Sequence, residues 1–200
     1  TALELTRTPS CNTGGTVSPG NSIGTLSITG NYIQGPQGKL SIELASPASV
    51  DVLAVTGGAA LDGILQTSWQ GGPNPALGTV FGAFLTATNG ISGRFSRLLV
   101  NISPTIVFQP KYDIPNQAYF IVERDYVNQG LLPYLSANQR AVGAMLNSVG
   151  MSATGDLNSV LTAIDSLPTY GQAASSFDQI APRGTEAAFN MNISAAMFQA

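Results

Sequence analysis

Gly14-Gly15-Thr16-Val17-Ser18-Pro19-Gly20-Asn21-Ser22-Ile23-Gly24-Thr25-Leu26-Ser27-Ile28-Thr29-Gly30-Asn31-Tyr32-Ile33-Gln34-Gly35-Pro36-Gln37-Gly38-Lys39-Leu40-Ser41-Ile42-Glu43-Leu44 reads as turn, strand, turn, strand. Leu26 and Ile28, then Leu40, Ile42 and Leu44, alternate with polar neighbours. That is the period of a strand with one buried face. Gly30-Asn31 and the run from Gly35-Pro36 to Gly38 interrupt the pattern where corners are needed. Residues 51–56 and 60–69 continue it, again as short strands between glycines. Short strands, evenly spaced and cornered by glycine, predict a stacked β-solenoid in which each coil buries its apolar face against the next.

Residues 15–26, Gly15-Thr16-Val17-Ser18-Pro19-Gly20-Asn21-Ser22-Ile23-Gly24-Thr25-Leu26, resemble the repeat near the C-terminal end of bacterial autotransporter passenger domains. The order that follows is similar to the same family: Gly30-Asn31-Tyr32, Leu40-Ser41-Ile42-Glu43-Leu44, Asp51-Val52-Leu53, Val55-Thr56-Gly57 and Ala60-Leu61-Asp62-Gly63. The likeness covers roughly residues 14–66. A second block resembles the segment joining such a passenger to its translocator barrel: Ser136-Ala137-Asn138-Gln139-Arg140-Ala141-Val142, then Ser176-Phe177-Asp178-Gln179-Ile180-Ala181-Pro182.

The resemblance implies a mainly β fold, a right-handed parallel β-helix with a capping β segment and a C-terminal α-helical segment. The expected divisions are solenoid coils, about three of them, over residues 1–78, an autochaperone-like β cap over 79–128, and a helical linker over 129–200. It implies a non-catalytic stem of a type V secreted protein, at the bacterial outer membrane and cell surface or released from it. Such a stem supports folding and export and displays an upstream region. Its implied partners are its own C-terminal outer-membrane β-barrel, expected beyond Ala200, and the barrel assembly machinery. A carbohydrate-binding adhesin module, a virulence factor meeting host-surface glycan or protein, is the alternative reading. A β-helical polysaccharide-cleaving enzyme is a further one.

Composition narrows the class independently. Only 10% of residues are charged while 44% are hydrophobic, too apolar for a disordered chain. The net charge is -3 and the basic residues are scattered singly, so there is no basic stripe for nucleic acid. No apolar run approaches the ~20 residues of a membrane-spanning helix. Thr1-Ala2-Leu3-Glu4-Leu5 lacks the basic start and long apolar core of a signal peptide, so the chain reads as a piece of something longer. Cys11 is the one cysteine, which forbids an internal disulfide, and it reads as a small loop or buried thiol.

Residues 1–13 read as the edge of a preceding coil, with Leu3 and Leu5 alternating along one strand. Leu5→Ala is expected to fray that coil alone. Gly71-Gly72-Pro73-Asn74-Pro75 is a loop. Residues 79–128 concentrate Phe81, Phe84, Phe95, Phe108, Tyr112, Tyr119 and Phe120, expected to form the cap and folding seed. From residue 129 the pattern turns helical. Ser136 with Gln139 makes a capping box before Val142, Met145, Leu146 and Val149, and Gly150 stops the helix. Asp156 caps a second helix burying Leu157, Val160, Leu161, Ile164 and Leu167 up to Pro168. Thr169 with Gln172 opens a third, with Ala173, Ala174, Phe177 and Ile180. Pro182 and Thr185 open a fourth, apolar nearly all round. Over residues 184–200 its length matches the ~25 Å apolar height of an outer-membrane barrel. The resemblance implies the barrel lumen as its place; without a barrel, it is expected to be buried by self-association or back-packing.

The chemistry-bearing residues point away from catalysis. Gly20-Asn21-Ser22-Ile23-Gly24 matches the nucleophile-elbow pattern, but the chain has no histidine and a strand follows the turn. Without histidine and with one cysteine, an ordinary zinc site has no ligand set. No cofactor is expected. Glu43, Asp51, Asp62, Glu123 and Asp125 are the only carboxylates placed for a paired role; Glu43 and Asp51 read first as strand caps or solvent residues and Asp62 as a turn residue. Tyr32, Trp69 and Tyr112 are the aromatics that could stack on sugars. Asn101-Ile102-Ser103 and Asn192-Ile193-Ser194 fit a glycosylation acceptor that is silent in a bacterium.

Overall fold

A computed structural model describes residues 3–5, 10–20 and 22–181. The alternation in the sequence becomes three sheets. The first holds β1 (Leu3–Leu5), β4 (Thr25–Ile28), β8 (Val52–Val55) and β11 (Val80–Ala87). The second holds β2 (Ser10–Asn12), β5 (Tyr32–Gln34), β9 (Ala59–Leu61) and β12 (Ile91–Gly93). The third holds β3 (Thr16–Val17), β6 (Lys39–Ser46), β10 (Ile64–Trp69) and β13 (Arg97–Leu99), with β7 (Ser49–Val50) folded back antiparallel on β6. The chain thus visits the three sheets in the same order four times, and each circuit pairs in parallel with the next. β14 (Ile106–Lys111) and β15 (Gln117–Arg124) then add antiparallel strands beyond β11 on the first sheet.

Register converts the alternation into columns. Leu26, Leu53 and Leu85 are successive partners in the first sheet, as are Ile28, Val55 and Ala87. Val17, Leu40, Leu65 and Leu98 form a column in the third. All six residues of the first-sheet columns are buried, with Leu40 and Leu65 of the third. Because a strand has period two, a slip of one residue would turn every column outward, so the columns fix the register. Each buried Val, Leu or Ile side chain contributes ~1.5–3 kcal/mol.

The corners hold the circuits together by polar contacts. Asn12 and Gln34 are register partners, and both are buried. Each reaches to the next circuit: Asn12 Nδ2 donates to the Lys39 carbonyl at 3.1 Å, Gln34 Nε2 to the Asp62 carbonyl at 2.7 Å. At another corner Gly58 N–H donates to Asn31 Oδ1 at 2.9 Å. Gly57 packs beside that amide so closely that a β-carbon would run into Asn31 Oδ1 and the Gly30 carbonyl. Gly63 combines φ +69° with a close approach to the Gly38 carbonyl, two separate reasons for glycine.

The sequence reading needs four adjustments here. Tyr32–Gln34 is a strand of the second sheet, where the reading had only a corner. Asp51 lies between β7 and β8 and joins neither. The parallel pairing does not stop near residue 78: β11, β12 and β13 form a fourth circuit where about three were expected. The change of pairing comes at β14 and β15. Strand β2 also precedes residue 14, so the described residues before it carry two strands, β1 and β2.

Among the described residues three helices follow, α1 (Ala137–Gly150), α2 (Gly155–Asp165) and α3 (Tyr170–Ile180), after a single 3-10 turn at Leu132–Tyr134. Ser136 and Gln139 form the expected reciprocal capping box, and Thr169 Oγ1 accepts from Gln172 N–H. Thr154, not Asp156, is the N-cap of α2, and Asp156 sits in its first turn. Met145, Leu157 and Val160 are exposed, against expectation. α1 packs instead through Val142, Leu146 and two glycines, and Gly143 lies so near the Tyr126 carbonyl that a β-carbon would displace it. That choice rotates Met145 to solvent. Leu157 and Val160 stay outside because α2 buries only the stripe carrying Leu161 and Ile164. The helix expected over 184–200 lies outside the described residues.

Candidate functional site

Six rings form one connected cluster that joins β10, the fourth circuit and the antiparallel pair β14 and β15. Phe81 and Phe108 meet edge to face at 5.2 Å, and Trp69 touches both at 5.9 Å. Phe108 leads to Phe120 at 6.0 Å, Phe120 stacks on Phe84 at 4.2 Å, and Phe84 reaches Phe95 at 6.5 Å. The five phenylalanines are all buried. β11, β14 and β15 each supply rings, and irregular register in β11 lets both Phe81 and Phe84, three residues apart, point inward, so the cluster ties the antiparallel strands to the parallel stack. Edge-to-face and offset pairs add ~0.5–1.5 kcal/mol each beyond burial.

Two of the expected cap residues stand apart. Tyr112 is half-buried against the cluster, and the Arg94 guanidinium lies 4.1 Å above its ring. Its burial pushes the phenol up, against the lowering pull of Arg94. Tyr119 is not in the cluster: between Ala118 and Phe120 its parity turns it outward. There a hydrogen bond to Asp113 raises its phenol.

Of the sugar-stacking candidates, Tyr32 is corrected outright. It is buried at 1% exposure with its hydroxyl donating to Gln34 Oε1 at 2.7 Å, so it offers no face to a ligand. Trp69 is half-buried against Phe81 and Phe108, and its indole N–H donates to the Gly72 carbonyl at 3.2 Å. Tyr112 already carries Arg94 on one face. The three rings do not line a common groove. Desolvation moves the Tyr32 phenol from 10.0 up to about 12, against a smaller lowering by Asn12. A phenol raised on folding stabilises below its unfolded value of ~10, and that contribution is lost as pH rises through the folded value. Tyr32→Phe is therefore expected to flatten the loss of thermal stability between pH 10 and about 12, read by calorimetric scans of both proteins. Identical pH profiles would refute the assignment.

The carboxylates hold structural posts. Asp51 is fully buried and accepts from Gly24 N–H at 2.8 Å and Glu43 N–H at 2.9 Å, bridging two circuits. That is the backbone-capping role expected of it, carried out in the interior. Asp62 accepts from Gly63 N–H, Glu123 pairs with Lys111 at 2.8 Å, and Asp125 accepts from Asn147 Nδ2 and Val127 N–H. Ser22 is exposed on a bend followed by β4, a strand where a nucleophile elbow needs a helix. Cys11, expected as a buried or loop thiol, is instead exposed on strand β2. Among the described residues no three Cys, Asp or Glu side chains gather as metal ligands, and no helix is long and apolar enough to cross a membrane.

Sequence reasoning missed a second constellation, built on Arg124 and Asp165. Arg124 ends β15 on the inward parity of Ala118, Phe120 and Val122. Its Nε donates to Asp165 Oδ2 at 2.7 Å, Nη1 to the Gly150 carbonyl at 2.6 Å and Nη2 to Asn158 Oδ1 at 3.2 Å. Asp165 Oδ1 accepts from Thr105 Oγ1 at 2.8 Å and from the Tyr126 hydroxyl at 3.1 Å. Burial, then the nearby Asp165 charge, pushes the Tyr126 phenol up. Tyr126 also meets Phe177 edge to face at 6.0 Å. One guanidinium thus fastens the end of α1 and the side of α2 to the β region. The legible signal was parity: position 124 continues the buried face.

Two surface grooves lie among the described residues. One of ≈ 370 Å³ runs over β5, β9 and β12 and is floored by small residues such as Gly58, Ala59 and Ala60. The other, of ≈ 520 Å³, lies between α2 and α3. No family model and no curated protein matches this chain.

Proposed function

We propose that this chain is the non-catalytic stem of an autotransporter passenger, a three-sided right-handed parallel β-helix sealed by an antiparallel pair and followed by a helical linker. It supports export of its own polypeptide and holds an upstream region away from the outer membrane. One observation carries the reading: four circuits through three sheets in one order, stacked in parallel register. Such a stack propagates pairing from circuit to circuit, which suits a chain that folds progressively as it emerges from a pore. The aromatic cluster supplies the stability that the first emerging circuits need of their own. The resemblance of residues 14–66 and of the two linker blocks adds the secretion context. The functional assignment of acids to backbone and corner posts fits a scaffold better than a polysaccharide-cleaving groove.

The test places the chain between a reporter and an outer-membrane translocator barrel in a Gram-negative host. Surface reporter per cell is expected to exceed, several-fold, that of a flexible linker of equal length, and to fall back in the Phe108→Ala variant. Equal display from the chain and the linker would overturn the proposal.

A further inference from the structure

The groove between α2 and α3 has no occupant among the described residues. Val160, Ala163 and Leu167 form one wall, Ser175, Gln179 and Ile180 the other. It carries no charged side chain, and Val160 at its rim is 46% exposed. Its α3 wall runs to the last residue of that helix, Ile180. The chain continues with Ala181-Pro182, and from Ala187 to Ala200 it also contains no charged residue. Ala188, Phe189, Met191, Ile193, Ala195, Met197 and Phe198 make that stretch strongly apolar.

We propose that this groove is the docking site of residues 187–198 of the same chain. Proline at 182 cannot continue α3. Residues 181–186 are enough for a reversal, since helix–helix connections in bundles take ~2–8 residues. A chain that turns back there meets the Ile180 and Gln179 end of the groove first. Twelve helical residues would span about 18 Å, comparable to the length of α2 or α3. An uncharged groove accepts an uncharged segment with no desolvated ion to compensate. On one helical face Phe189, Ile193 and Met197 have the volume to fill a space of ≈ 520 Å³ that Ala163, Ser175 and Ser176 leave open. The segment is tethered beside the groove, so its effective concentration there far exceeds that of a second copy in dilute solution. This inference does not depend on the secretion reading.

The test uses the full chain and hydrogen exchange of residues 186–198. Wild type is expected to protect these amides at least tenfold over an unstructured peptide, independently of protein concentration. Ala163→Arg and Ser175→Arg, both on exposed groove positions, are expected to abolish that protection while exchange in β4–β10 stays unchanged. Chymotryptic cleavage at Phe189 should accelerate in the same variants. Random-coil exchange of the segment in wild type would overturn the proposal. So would protection that survives both groove variants, or protection that appears only as concentration rises, which would assign the groove to a second copy.

Discussion

Phe108→Ala is expected to destabilise the entire β region by ~3–5 kcal/mol, and Phe120→Ala by a similar amount, as large cavities do in well-packed cores. Phe108 is the junction of the ring cluster, touching Trp69, Phe81 and Phe120. Phe120 is fully buried and stacked on Phe84. Both rings stand mid-strand on the antiparallel pair, and their partners stand on β10 and β11 of the parallel stack. A cavity here therefore loosens the junction between two kinds of sheet. Native proteins hold only ~5–15 kcal/mol in total, so either change removes a large fraction of it. By contrast, Val17→Ala on the outer strand β3, where the side chain is only partly buried, should cost about 1 kcal/mol or less. Denaturant unfolding followed through Trp69, the only tryptophan, reads the difference directly. If residues 79–128 seed folding, both alanine variants also refold more slowly, and amides of β4–β10 lose protection together with those of β11–β15. Refolding at the wild-type rate, or protection in β4–β10 that outlasts β11–β15, would refute the seed.

What could be read from the sequence was whatever depended on local alternation. Leu26/Ile28 and Leu40/Ile42/Leu44 announced buried strand faces, and those residues are the interior columns. Ser136 and Gln139 announced a helix start because a capping box is a contact between residues three apart. The phenylalanines of residues 79–128 were legible as core by composition, and Tyr119 was not separable from them without strand parity. Contacts between distant segments stayed hidden. Tyr32 looked available because nothing local shows that Gln34 and the Asp62 carbonyl close over its strand. α1 looked as if it would pack through Met145, because hydrophobicity alone cannot reveal that Gly143 provides the closer approach. Asp165, at the end of α2, finds its partner in Arg124, 41 residues earlier in the chain, a contact no local pattern shows.

That partnership supports the second large effect. Arg124→Met should destabilise the attachment of the helices by ~3–5 kcal/mol, because it strands the Asp165 carboxylate in a site where its side chain is only 11% exposed. The same change removes donors from the Gly150 carbonyl and from Asn158 Oδ1. Asp165→Asn is expected to cost less. An amide oxygen can still accept from Thr105 and Tyr126, and the guanidinium keeps its other acceptors. The double variant should then be less unstable than the sum of the two, since neither charge is left without its mate. The two apolar clusters give each half its own probe. Tyr126, Leu146, Leu161 and Phe177 lie in the helical one, while Trp69 packs on the other. Helical circular dichroism in Arg124→Met should therefore melt well below the transition reported by Trp69 fluorescence, whereas in wild type the two are expected to coincide. Coincident, unshifted transitions in the variant would mean that Arg124 does not fasten the helices to the β region.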